Sequence, residues 1–138
     1  MLNAIFTSKS SYELDKLCIR RGIKFSEILI NDNFRELPSP NLDLEKRVNW
    51  LRGVLPLTWS ELLKDKETID SGVNFIQWKE NIINNIYSLN KDTIIFTHFV
   101  VINTIIGEIL KSDKMMNLEI PHAYPAAMLV ASGLFYVQ

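Results

Sequence analysis

The sequence has little of what several large classes of protein require. Cys18 is the only cysteine in 138 residues, which excludes an intramolecular disulfide and a cysteine metal cluster. The five glycines are scattered, so no glycine-rich loop of the kind that binds nucleotide phosphates is present. The net charge is −1, and no overall field draws the chain to nucleic acid or to an anionic membrane.

Long apolar runs are also missing. The most apolar stretch, from Ile94 to Leu110, is interrupted by His98, Asn103 and Glu108, which argues against a membrane span. The first residues do not combine a charged start with an apolar core, so we expect no signal peptide and, by default, a reducing cytoplasm. In that setting Cys18 is expected to be a buried, inert thiol.

The residues that are present favour one globular domain over 1–138, because 47% of them are apolar and 22% are charged. Apolar periodicity predicts strands that alternate with helices, which indicates an α/β fold with three layers and a mostly parallel sheet flanked by helices. The predicted strands cover 4–7, 27–30 and 93–97, with a hairpin over 126–131 and 134–137. The predicted helices cover 10–21, 44–54, a short segment around 59–63, and a longer segment from a cap at Asp70 or Ser71 to Leu89.

His98 is the first candidate for a functional residue. It follows a strand predicted to be buried and precedes a predicted helix, and ligands of such sheets bind beyond the carboxyl ends of the strands. Amides at the start of a helix attract anions, and a histidine beside them can donate to a phosphate oxygen. The alternative is a core histidine bonded to a backbone carbonyl.

The segment around His98 resembles the second-histidine motif of the histidine phosphatase superfamily, which is phosphoglycerate-mutase-like. It reads Thr93-Ile94-Ile95-Phe96-Thr97-His98-Phe99-Val100-Val101-Ile102-Asn103. A second segment is similar to the one that carries the acidic residue in one branch of that family. It reads Phe34-Arg35-Glu36-Leu37-Pro38-Ser39-Pro40. Trp50, Trp59 and Trp78 fall in the order of that branch, and Pro121-His122-Ala123 falls where the family has a loop at the pocket edge.

The resemblance implies a phosphoryl-transfer site that acts through a phosphohistidine and needs no metal or cofactor. His98 would be the second histidine and Glu36 the acid that protonates the leaving oxygen. The ligand would be a small phosphorylated metabolite or phosphate. The resemblance implies a phosphate-binding role for the Phe99 amide, for Ser8, Lys9 and Arg35, and for His122 if its loop reaches the pocket.

The chain departs from the family pattern in its nucleophile and its arginines. Arg-His-Gly, which carries the nucleophilic histidine, occurs nowhere, and Tyr12 stands where the family has its second arginine. The family's opening strand, which lies within its sheet, has no counterpart here. Its absence is expected to leave unpaired backbone groups, to make neighbouring strands close up, or to require a second copy or a partner segment.

Three interpretations follow. The chain is a truncated phosphatase, for which an in-frame Arg-His-Gly segment encoded upstream of Met1 would be decisive. Alternatively it is a non-catalytic relative that binds phosphate compounds or serves as an interaction module, as Tyr12 suggests. The third is an α/β module with an accidental match to the family. Hydrolysis is expected to be weak or absent, because losing the nucleophile removes most of the catalytic advantage.

Overall fold

A computed structural model describes residues 2–7, 22, 24–118, 127–131 and 134–137, and the described strands form one sheet. The sheet order is β2-β1-β3-β4-β5. Because β2, β1 and β3 run parallel and helices pack against them, the α/β class is confirmed. The strands are β1 (Leu2–Phe6), β2 (Phe25–Ile30), β3 (Thr93–Phe96), β4 (Ala127–Ala131) and β5 (Leu134–Val137).

The other strand pairs are antiparallel. β4 pairs with β3, and β5 pairs with β4, so the antiparallel pairing predicted for the last two strands is confirmed. The helix predicted over 10–21, which would contribute to a third layer and would contain Cys18, lies outside the described residues.

β1 and β3 are direct neighbours in this sheet. Their register runs from Asn3 opposite Thr93 to Phe6 opposite Phe96. No gap therefore separates these two strands. A partner segment would have to pair elsewhere, for example along β2, whose residues from Ser26 to Ile30 are exposed.

Four of the five helices in the described ranges begin at a residue whose side chain accepts a hydrogen bond from an otherwise unpaired amide. Asp43 accepts from the Lys46 amide at 2.9 Å and starts the first helix where the sequence predicted it. Thr58 and Glu61 form a reciprocal capping box at the second. The helices are α1 (Leu44–Val54), α2 (Trp59–Leu62), α3 (Lys66–Ser71), α4 (Phe75–Tyr87) and α5 (Phe99–Leu110), with a 3-10 turn at Asp32–Phe34.

The prediction of one helix capped at Asp70 or Ser71 is wrong. Gly72 adopts a left-handed φ of 67° and ends α3, a conformation that glycine adopts without steric cost. Asn74 then accepts from the Gln77 amide at 2.9 Å and starts α4. The apolar stripe predicted on this helix is confirmed, since Ile82 and Ile86 are buried.

The sequence places Val48, Leu51 and Leu55 on one side of α1, and the structure gives them different surroundings. Val48 is 38% exposed, whereas Leu51 and Leu55 pack against a core cluster. Trp50 and Val54 are the buried residues of this helix. The indole of Trp50 stacks on Phe75 with ring centroids 6.1 Å apart, and this large contact decides which face turns inward.

Two apolar clusters form the core and meet near the candidate site. Phe34 and Val101 belong to the first cluster, which packs α4 and α5 on Ile5 and Ile95 of the sheet. Leu37 and Val100 belong to the second, which joins α1, α2 and α4. Since Phe34 and Leu37 flank Glu36, both clusters hold the segment that carries this residue.

No helix in the described part of the chain combines the length and the apolar character that a membrane crossing needs.

Candidate functional site at the amino end of α5

His98 lies where β3 ends and α5 begins. Its backbone is extended, with φ −114° and ψ 160°, and its carbonyl accepts the first helical hydrogen bond from the Ile102 amide at 3.1 Å. Its ring is exposed and makes no capping hydrogen bond, although Phe99 and Val100, which follow it, are buried. The imidazole therefore faces solvent at the carboxyl end of β3, which excludes the alternative of a core histidine.

The segment that carries Glu36 is fixed against this end of β3. The Thr97 hydroxyl, at the end of the strand, donates to the Phe34 carbonyl. The Trp78 indole of α4 donates to the Arg35 carbonyl at 3.3 Å. Because Phe34 and Leu37 are buried on either side, Glu36 is held at the site by backbone anchors rather than by its own side chain.

The Glu36 carboxyl is half-buried and close to the start of α5. Its Oε1 accepts from the Leu37 amide at 2.9 Å. Burial raises the pKa of Glu36 above its ordinary 4.5, while the Leu37 amide, the charge of His98, the Val100 amide and the charge of Arg47 act in the lowering direction. A carboxyl group with a raised pKa beside an imidazole is suited to proton transfer.

The Val100 contact also means that Glu36 already supplies a negative group to the helix start. Amides at this position are donors without partners inside the helix, and the helix dipole favours an anion there. An external phosphate would therefore compete with the ionised Glu36 carboxylate, and would be favoured once that carboxyl is protonated.

The structure brings some of the predicted site residues together and not others. Glu36 and His98 lie together, with Phe99 as the first residue of α5. Arg35 and Arg47 are both exposed, and the arginine whose charge lowers the Glu36 pKa, after that of His98, is Arg47. Ser8, Lys9, Tyr12 and His122 lie outside the described residues.

Arg47 is the site residue that the sequence did not reveal. It lies in α1, separated from Glu36 by a loop with two prolines, and nothing in its local pattern distinguishes it from the exposed Lys46. Contact between α1 and the Glu36 segment comes from tertiary packing, in which Trp50 and Leu37 share a cluster.

One residue of the motif, Asn103, has a structural role. Its side chain is wholly buried, donates to the Phe99 carbonyl at 3.1 Å, and accepts from the amides of Asn117 at 2.7 Å and Leu118 at 2.9 Å. These bonds attach the segment after α5 to the middle of the helix. These hydrogen bonds are sufficient to explain why an asparagine occupies position 103, and none of them involves a ligand.

Within the described ranges, no group of three or more histidine, cysteine, aspartate or glutamate side chains is placed to hold a metal ion. No family model, curated protein or solved structure matches the chain.

Proposed function

We propose that this chain is a histidine-phosphatase-like domain that binds phosphate or a small phosphomonoester at the amino end of α5, with weak or absent hydrolysis. The observation that carries the proposal is the position of His98. Its exposed ring stands at the carboxyl end of β3, at the first turn of α5, within electrostatic reach of Glu36.

The residues at this end suit a phosphate ligand chemically. A protonated His98 donates to a phosphate oxygen and offsets its charge, and the helix start adds oriented dipoles. In its protonated form, which burial favours by raising its pKa, Glu36 would donate to the oxygen that bridges phosphorus and the ester group. Arg47 adds positive charge on the α1 side.

Hydrolysis through a phosphohistidine needs a second imidazole as nucleophile. The chain has two histidines, His98 and His122, and neither lies in an Arg-His-Gly segment. Neither of the arginines that hold phosphate in the family has a counterpart. We therefore favour binding over turnover, as in the non-catalytic interpretation of the sequence.

The binding test is a phosphate titration followed by NMR of the histidine ring and backbone amide signals. We expect the His98 ring and the Val100 amide to shift with saturation, and His98→Ala to abolish the saturable shift at Val100. Asn90→Ala, an exposed change in the turn before β3, is the matched control and should bind as the unmodified chain does. An unchanged titration in His98→Ala would remove the proposal.

A parallel assay of p-nitrophenyl phosphate hydrolysis separates binding from catalysis. We expect no turnover above that of the His98→Ala variant. Turnover that depends on His98 would show an active phosphatase and exclude the non-catalytic interpretation.

A further inference from the structure

We propose that a groove along α4 binds a basic amphipathic helix of a partner protein. This α4 groove lies between α2, α3, α4 and the segment that follows α5, and its apolar wall includes Leu63, Ile69 and Ile76. None of its lining residues is Glu36, Arg47 or His98, so the inference is independent of the phosphate site.

The shape of the groove is that of two cavities which share a wall. One has a volume of about 440 Å³ and the other about 350 Å³, and both are lined by Leu63, Phe75 and Ile76. Ile76, Glu80 and Asn84 line it on successive turns of α4, which gives a length of roughly 12 Å along that helix alone. Both cavities are open to solvent rather than enclosed, as the docking of a helix requires.

The apolar wall of the groove is unusually exposed. The exposed fractions are 60% for Ile69, 53% for Ile76 and 39% for Leu63. Isolated apolar side chains are common on protein surfaces, but Leu63 and Ile76 line both adjoining cavities and Ile69 lines one of them. Side chains that recur on one face of an amphipathic helix would cover them.

The two halves of the groove differ in charge. The half beside α3 has no charged lining residue, whereas Glu80, Glu108 and Asp113 line the half beside α2 and the end of α5. Lys79 is the cation of that half, and its ammonium lies 5.1 Å from the centre of the Trp59 ring.

The carboxylates of that half differ in their partners. Glu108 pairs with Lys111 at 3.2 Å, and Asp113 accepts from the neutral Ser60 hydroxyl at 2.7 Å. Across the described residues, neither Glu80 nor Asp113 has a cation within 4.0 Å. Two carboxylates beside the apolar surface therefore have no cation partner among the described residues, and a helix with arginine or lysine near one end complements both features.

The test uses the full chain and a fluorescent synthetic helix of roughly 14 residues, with leucines on one face and arginines near one end. A matched peptide has glutamates in place of the arginines. Fluorescence anisotropy should show saturable binding of the arginine peptide, which weakens with added salt, and no binding of the glutamate peptide.

Variants of exposed residues locate the binding surface. Ile76→Glu should weaken binding of the arginine peptide by about tenfold or more, because it puts a charge on the apolar wall. Glu80→Lys should weaken it most at low salt. Leu44→Glu is the matched control, since Leu44 is 77% exposed in α1 and does not line the groove.

Several results would overturn the proposal. These are no saturable binding of the arginine peptide, equal binding of the two peptides, or an Ile76→Glu variant that binds as Leu44→Glu does. Self-association of the chain, measured by sedimentation velocity, would also overturn the proposal if Ile76→Glu abolished it. That result would assign the groove to a second copy of this chain.

Discussion

At the amino end of α5 the His98 ring is exposed and makes no capping hydrogen bond, whereas further along the same helix Asn103 is wholly buried and bonded at both ends of its amide. Both residues belong to the short segment, 93–103, on which the proposed kinship with histidine phosphatases rests. The structure thus divides that segment into an end that can meet a ligand and a middle that holds the fold. A match to a family motif is not by itself a set of ligand contacts.

The largest expected effect is on the buried side of this comparison. Asn103→Ala should lower the free energy of unfolding by about 3–4 kcal/mol, because it leaves the Asn117 and Leu118 amides without their acceptor. His98→Ala should change it by less than about 0.5 kcal/mol. Urea denaturation measures both, with Asn90→Ala as the exposed asparagine control. Equal losses in the two variants would contradict the division.

A smaller loss of stability is expected from a change at Gly107, where the segment after α5 packs against that helix. A methyl group added at Gly107 would lie 2.8 Å from the Asn117 side-chain nitrogen. That nitrogen cannot move easily, since it donates to the carbonyls of Asn103 at 3.2 Å and Lys114 at 3.0 Å. Gly107→Ala should therefore destabilise the protein by about 1–2 kcal/mol, after the gain in helix propensity is subtracted.

Gly53→Ala is the matched control for that change, because an added methyl at Gly53 in α1 meets nothing within 4 Å. It should stabilise the protein by up to about 1 kcal/mol through helix propensity. Thermal or urea unfolding measures both variants. Stabilisation by Gly107→Ala as well would mean that the contact with Asn117 yields without cost.

The smallest stability effect is expected at Glu36, and it depends on pH. Since burial raises the pKa of Glu36 in the folded protein, its stabilising contribution is complete below the ordinary value of 4.5 and is lost as the pH rises through the raised pKa. Relative to the unmodified chain, Glu36→Gln should therefore gain stability between acidic and neutral pH. Urea denaturation across this pH range measures the difference, and a difference of opposite sign would contradict the burial argument.

Phosphate binding provides a second measurement on the same variant. At a pH where Glu36 is ionised, its carboxylate competes for the helix start, so Glu36→Gln should bind phosphate several-fold more tightly than the unmodified chain. The advantage should shrink as the pH falls and the native carboxyl becomes protonated. Weaker binding by Glu36→Gln at neutral pH would instead indicate that Glu36 holds the ligand directly.

Much of the local structure was predictable because it depends on neighbouring residues. Asp43 and the apolar spacing after it were enough to place α1, and the apolar run before His98 was enough to place β3 and the start of α5. The break between α3 and α4 was missed. Asp70 and Ser71 belong to the end of α3 rather than to a cap, and the left-handed turn at Gly72 and the cap at Asn74 were not recognised.

The sequence alone determined the α/β class and the position of His98 after a buried strand, and the resemblance suggested its pairing with Glu36 as a hypothesis. Whether the His98 ring is exposed was left open. Periodicity and strand ends are local properties, so they can be recognised without knowing how the chain folds. Only the tertiary structure decided that β1 pairs directly with β3, that Arg47 reaches the Glu36 side of the site, and that Asn103 serves the core. Each of these depends on which distant surfaces bury one another, and that is set by the packing of large side chains such as Trp50, Phe34 and Phe75.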